Sequence, residues 1–213
     1  MPSYRRGRYR RRSNRKFNVG MIKSVARQMI DSRLETKDRT HQISFGIIQS
    51  GALNASCLTA IARGSSSSER ESDRIRVKEL HFEGYLGVES EPAFIRLAIL
   101  WVNYEVDTGA TMPAPTLGAL WDLSGTDGTW GPRNLEQITN FCIIWERRFF
   151  LNQNTSYMTP LKIMLKLDHI CHYHSFGTAD GSRGSLYMVA TSDSISGPHP
   201  AMDGVMRMRF KDD

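Results

Sequence analysis

An all-β antiparallel sandwich or barrel behind a basic N-terminal arm is the fold class that this sequence predicts, and three observations carry it. Beyond residue 39, apolar residues alternate at period two, or run continuously with β-branched and aromatic side chains, in about eight short segments. The stretches between them are rich in Gly, Ser, Asp and Pro, with no alternating helices, which implies antiparallel pairing instead of a βαβ arrangement. Finally, the first ten charged residues are all cations, so charge by itself divides the chain into two parts. At 213 residues and 40% hydrophobic content the chain can bury a core, and all-β domains of this length are commonly single.

The arm comes first. MPSYRRGRYRRRSNRKF holds Arg5, Arg6, Arg8, Arg10, Arg11, Arg12, Arg15 and Lys16, and Lys23 and Arg27 follow before the first acid, Asp31. Subtracting these ten from 28 Lys and Arg leaves 18 against 22 Asp and Glu, so the rest of the chain is about −4 while the whole is +6. A block of like charges with no apolar periodicity cannot offset its ordering entropy, and residues 1–17 are expected to be a disordered arm. Nothing apolar follows Arg5 to Arg12, which excludes a secretory signal, and three consecutive arginines leave no apolar face for a mitochondrial presequence. Met1-Pro2 does not start a myristoylation motif, and no apolar run approaches the 18 residues of a membrane span, so no membrane partner is expected. A polyanion remains: Arg pairs bidentately with phosphate, and Tyr4 and Tyr9 can stack on unpaired bases. The ten basic residues are therefore the expected nucleic-acid contacts. The same run also reads as a nuclear import signal, which makes host import factors a second expected partner.

Residues 18–39 are assigned to an amphipathic helix. Ile22, Val25, Ala26, Met29, Ile30 and Leu34 fall on one stripe. An ordinary surface helix packed on its own domain would show this pattern, and so would a helix that packs against other copies of the chain.

The strands follow within a domain spanning residues 40–213. ISFGII (43–48) and SCLTAIA (56–62) are the first two, and RIRVKELHFEGYLGV (74–88) is a long third whose apolar parity switches partway, as in a strand that bends or bulges. AFIRLAILWVNYE (93–105) and NFCIIWERRFFL (140–151) are almost continuously apolar, as central strands are. LKIMLKLDHICHYH (161–174), LYMVATS (186–192) and GVMRMRFKD (204–212) alternate and complete the count. The long segment between Glu105 and Asn140, with TLGALWDL as a short helical turn, exceeds a plain hairpin and reads as an elaborated connection that makes contacts.

Catalytic and metal chemistry find little support. Cys57, Cys142 and Cys171 are odd in number with no CxxC spacing, which indicates buried thiols instead of a disulfide framework or a cysteine zinc site. DHICHYH (168–174) is the sole cluster of ligand-type residues: Asp168, His172 and His174 share one strand face, His169 and Cys171 the other. His172 and His174 are thus candidates for zinc or copper, or else polar groups satisfied at a strand end or an interface. The serines at 65–68 lack the strand-turn-helix setting of a nucleophile elbow, and no phosphate-binding Gly-rich loop is present. No enzyme is expected.

Taken in order, the basic arm, the helix, ARGSSSSERESDRIRVKELHFEGYL, WERRFFL and GSLYMVATSDSISGPHPAMDGVMRMRFKDD resemble the single jelly-roll capsid proteins of small icosahedral viruses. The similarity extends to circular single-stranded DNA viruses and to the coat proteins of plant satellite viruses, and it spans nearly the whole chain. It implies an eight-stranded antiparallel jelly-roll sandwich with a disordered basic arm and a short N-terminal helix, assembled as about 60 copies in an icosahedral shell. Sixty arms would place roughly 600 positive charges inside, against about 640 phosphates in one gene for the chain itself. The implied partners are other copies and a single-stranded genome, with DNA favoured by the Tyr-Arg-rich arm and closing strand. The implied location is the virion, and the host nucleus or cytoplasm during assembly. No cofactor is implied beyond structural Ca2+ at subunit interfaces, for which Asp107, Asp127, Asp180 and Asp193 are the right ligand type. Ile22, Val25, Met29 and Ile30 are expected at a subunit interface. Trp121 and Trp130, set among Gly, Pro and Thr, read either as contact anchors there or as small satellite cores. The alternative is a cellular nucleic-acid-binding protein with an all-β domain and a basic tail.

Overall fold

The structure is a computed structural model that describes residues 22–25, 29, 35–88, 91–104, 113–124, 128–152, 154, 157–173 and 183–213. The chain divides between Leu34 and Glu35. Before that point residues 22–25 and 29 are described, all helical; the remainder of the helix expected over 18–39 lies outside the described residues up to Leu34.

From Glu35 onward, eight strands are described: β1 (Thr36–Phe45), β2 (Asn54–Cys57), β3 (Arg74–Gly87), β4 (Ala93–Val102), β5 (Phe141–Leu151), β6 (Met158–His172), β7 (Leu186–Ser192) and β8 (Ala201–Asp212). They form two four-stranded sheets in the orders β1-β8-β3-β6 and β2-β7-β4-β5, with every pairing antiparallel. The chain doubles back between β4 and β5, so that β4 pairs with β5, β3 with β6, β2 with β7 and β1 with β8. That double ribbon is then rolled up by the additional pairings β3·β8 and β4·β7. Eight strands wound in this way into two sheets are a jelly roll.

All eight expected strands exist, and the third bends where its sequence pattern changes. Ile75 and Val77 are buried, then Leu80, Phe82 and Leu86, with the pairing register to both β6 and β8 shifting between Val77 and Glu79. One extra residue at this bulge moves the inward parity from odd to even. A second shift, between Ile99 and Leu100, places a bulge in β5 at Ile144.

Several boundaries differ from expectation, and for three of them the structure shows the physical reason. β1 starts at Thr36, inside the expected helix, because the polar run TKDRTHQ is held by the β8 backbone and by cross-strand ion pairs: Asp38 accepts from Arg207 at 2.9 Å and Arg209 at 3.2 Å. SCLTAIA leaves the sheet at Cys57. Beyond it the Thr59 hydroxyl accepts from Leu186 N–H, Tyr173 donates to the Thr59 carbonyl and Arg70 donates to that of Ile61, so side chains replace a partner strand. β6 begins three residues earlier than its alternation. Pro160 is tolerated there because β6 is an edge strand and needs no ladder N–H on its free side.

The main core lies between the sheets, with Ile43, Ile75, Val77, Leu80, Phe82 and Phe210 facing Ile95, Leu97, Ile99, Leu186 and Met188. Gly84 and Gly204 stand opposite one another on β3 and β8, and a Cβ on Gly204 would come within 2.5 Å of the Phe82 ring and 2.6 Å of Glu83 O. The Phe82 ring occupies the space the two missing side chains leave. A second core covers the other face of the β2-β7-β4-β5 sheet, where Leu117, Leu120 and Trp121 of the β4–β5 connection pack on Ala98, Leu100, Val102, Phe141, Tyr187 and Val189. Burial on both faces is why β4 reads as a continuous apolar run; β7, expected to alternate, is buried on both faces as well, whereas β5, expected to be central, is an edge strand. Among the described residues, no helix is long and apolar enough to cross a membrane.

Candidate nucleic-acid and assembly surfaces

Of the ten expected nucleic-acid contacts, only Lys23 is among the described residues, and it is exposed. Arg5, Arg6, Arg8, Arg10, Arg11, Arg12, Arg15, Lys16 and Arg27 lie outside them, as does Ile30. Ile22, Val25 and Met29 are helical and about half exposed, at 51%, 49% and 55%.

The two loop tryptophans separate. Trp121 is completely buried and is the largest side chain of the second core, so it is not a contact anchor. Its indole is covered by the guanidinium of Arg96, 4.3 Å from the ring centroid. Arg96 ties the connection to the sheet at Trp121, Gly128 and Gly131. It projects from β4 with 2% of its side chain exposed, donates from Nη1 to the carbonyls of Gly128 (2.9 Å) and Gly131 (2.6 Å), and pairs with Glu146 of β5 through Nε at 2.6 Å and through Nη2. Glu146 also accepts from Arg133 at 2.9 and 3.1 Å. Burial raises the Glu146 pKa, but the hydrogen bonds and charges of Arg96 and Arg133 outweigh it and hold the carboxylate below its ordinary range.

Trp130, by contrast, is 45% exposed at the end of the same connection. It meets Phe94 edge-on with centroids 4.6 Å apart, Phe94 meets Phe150 at 4.6 Å, and the Arg148 guanidinium lies 5.5 Å over the indole. The structure thus puts an exposed aromatic group next to Arg148 on β5, with Arg147 on the opposite face; WERRFFL forms the fifth strand and is not among the closing ones. Sequence reading singled out Trp130 and missed Phe94 and Phe150. The signal available was the adjacency of Arg147-Arg148 and Phe149-Phe150, whose partner across the sheet only the β4–β5 register identifies.

The ERESD phrase is a second tie. Arg70 is fully buried, stacked 4.0 Å over the Tyr173 ring, and donates to the Ile61 and Ser72 carbonyls and to Asp73 at 3.3 Å. Beside it Lys37 of β1, 2% exposed, pairs with Glu71 at 2.7 Å and Asp212 at 3.1 Å. Burial lowers the Lys37 pKa, yet its two carboxylate partners raise it overall. These residues fasten the β2–β3 connection and one end of the β1·β8 pair, where β1 begins and β8 finishes.

The expected ligand cluster disperses. Asp168 pairs with Lys78 at 2.7 Å and Arg76 at 3.7 Å, and the Lys78 hydrogen bond lowers its pKa first. His169 points away, donating to the Gly184 carbonyl at 2.6 Å while its ring stacks on Trp101 at 4.5 Å. Cys171 is buried, which pushes its thiol up to about 12. His172 remains on β6, and His174 lies outside the described residues. Among the described residues no three His, Cys, Asp or Glu side chains converge as metal ligands. Of the loop carboxylates, Asp107, Asp127 and Asp180 are outside the described residues, and Asp193 accepts from Phe94 N–H at 2.8 Å.

No family model matches the chain, and no curated protein matches it. Among solved structures it is similar to a chain of desmodium yellow mottle tymovirus, with 9% identity and a TM-score of 0.40 over 84% of this chain and 87% of that one. A 60-mer BFDV capsid protein is also similar, with 12% identity and a TM-score of 0.29 over 84% of this chain and 92% of that one. Values this low leave the reading of function to the residues themselves.

Proposed function

We propose that this chain is a viral capsid protein that assembles with its own copies into a small icosahedral shell and packages single-stranded nucleic acid, DNA by preference, through its Arg-rich arm. The observation that carries this reading is the division of charge: ten cations precede the first acid, and the remainder, including a closed jelly roll, is about −4. A jelly roll alone hosts many functions, so the fold does not decide. A protein that grips nucleic acid with its sheet concentrates cations on that sheet. Here the β1-β8-β3-β6 sheet neutralises itself instead, with Arg207 and Arg209 on Asp38 and Glu79, and Lys162 on Glu83. The polyanion is drawn by the arm through counterion release, and packaging is then largely independent of sequence. The half-exposed stripe Ile22, Val25 and Met29 supports a role in contacts between copies. The role is structural, with no catalytic step.

Electron microscopy of the purified protein, with absorbance at 260 and 280 nm on the same fractions, tests the reading. Closed particles of uniform diameter with a nucleic-acid spectrum are expected, and nuclease digestion of the extract distinguishes DNA from RNA. A monomer or dimer across salt and pH would overturn it and favour a cellular nucleic-acid-binding protein.

A further inference from the structure

One end of β4 and β5 carries a cluster that the folding of the domain leaves open. Phe94 and Phe150 are register partners, and so are Arg96 and Arg148, so aromatic and cationic side chains alternate along one face of the sheet. Trp130 closes over that face from the connection, yet stays 45% exposed, and Phe150 is 52% exposed. Arg148 is exposed beside them with its guanidinium over the Trp130 ring, while Arg147, partnered with Leu97, lies on the opposite face of β5 over Phe149. The neighbouring carboxylates do not cancel this charge: Glu146 is held between Arg96 and Arg133, and Asp193 by Phe94 N–H.

We infer that this cluster is a stacking platform for unpaired bases of a single-stranded nucleic acid, with Trp130 and Phe150 presenting the π faces and Arg148 meeting a flanking phosphate. The inference rests on the nucleic-acid half of the proposed function and adds selectivity to it. The arm neutralises phosphates of any strand, whereas a platform engages only a base that is out of a duplex. A polyanion with π faces satisfies both halves of the patch at once. A second copy of this chain fits less well, because many of the described carboxylates that could meet Arg148 are already paired: Asp38, Glu83, Asp168 and Asp213 all hold cations of their own sheet.

The test uses the full chain with an oligo(dT) strand of about 12 nucleotides and a duplex of equal length, in about 0.5 M salt to screen the arm. Trp130→Ala is expected to weaken binding to the single strand roughly tenfold, Trp130→Phe to restore most of it, and duplex binding to stay unchanged. Ultraviolet crosslinking should yield nucleotide adducts on the peptides of Trp130 or Phe150 as well as on the arm. Unchanged affinity of Trp130→Ala, with adducts confined to the arm, overturns the platform while leaving packaging by the arm intact. Loss of particle assembly with unchanged affinity also overturns it, and assigns the patch to contacts between copies. Absence of any binding at low salt overturns the packaging reading itself.

Discussion

Replacing Glu146 by Ala should be among the most damaging single changes in the domain. Arg96 is 2% exposed, and among the described residues Glu146 supplies its counter-charge, with the Gly128 and Gly131 carbonyls and the Trp121 face beside it. Removing the carboxylate leaves a buried guanidinium with dipolar partners only. Breaking a buried pair from one side typically costs about 3–5 kcal/mol, and the two retained carbonyls put the expected loss near about 3. For a chain of this size that corresponds to a fall in Tm of about 6–12 °C. Urea unfolding at two protein concentrations measures it and separates out any contribution from assembly. The pair Arg96→Met with Glu146→Leu should recover most of the loss, giving a coupling energy of at least about 2 kcal/mol in a double-mutant cycle. A loss under about 1 kcal/mol for Glu146→Ala would refute the reasoning, since Arg96 would then be reaching water.

Further outcomes follow from the same contacts. Glu146 has a folded pKa below its ordinary 4.5, so the unfolded chain binds more protons between the two values; stability present above about pH 4.5 is lost as pH falls through the folded value, and Glu146→Gln should flatten that acid limb in unfolding titrations. His169 is held below 6.5, by burial first and by His172, against the opposing pull of the Gly184 carbonyl, so its contribution declines as pH drops from 6.5 toward its folded value; the slope of stability against pH in that window should shrink in His169→Gln. Gly204→Ala should lose at least about 2 kcal/mol by overpacking, and Phe82→Leu should not restore it, because Glu83 O and Gly84 Cα also stand within 3 Å of the added carbon. Asp212→Asn should loosen β1 from β8 by about 1–3 kcal/mol, read as faster hydrogen exchange across residues 36–45, since Lys37 is buried and, among the described residues, is left with Glu71 as its ion partner.

What the sequence alone determined was whatever local period and charge order specify. Eight strands, the short turn Leu117–Leu120, the bend in β3 and the separation of a basic arm from a mildly acidic domain were all legible, because alternation reports which face of a strand is buried and charge requires no partner to be counted. The strand TKDRTHQ was not legible, since its register comes from β8, more than 160 residues away, and not from its own side chains. Nor could Trp121 and Trp130 be told apart. Both sit among turn residues, and only tertiary structure slides Arg96 over one of them and leaves the other beside Arg148 at the surface. The ligand cluster DHICHYH dissolved for the same reason: which polar group satisfies a histidine or an aspartate depends on neighbouring strands, and here Lys78, Arg76 and the Gly184 carbonyl do so first. Periodicity records that a residue faces inward or outward; what it meets there is decided by strand order and register, which join segments that lie far apart along the chain.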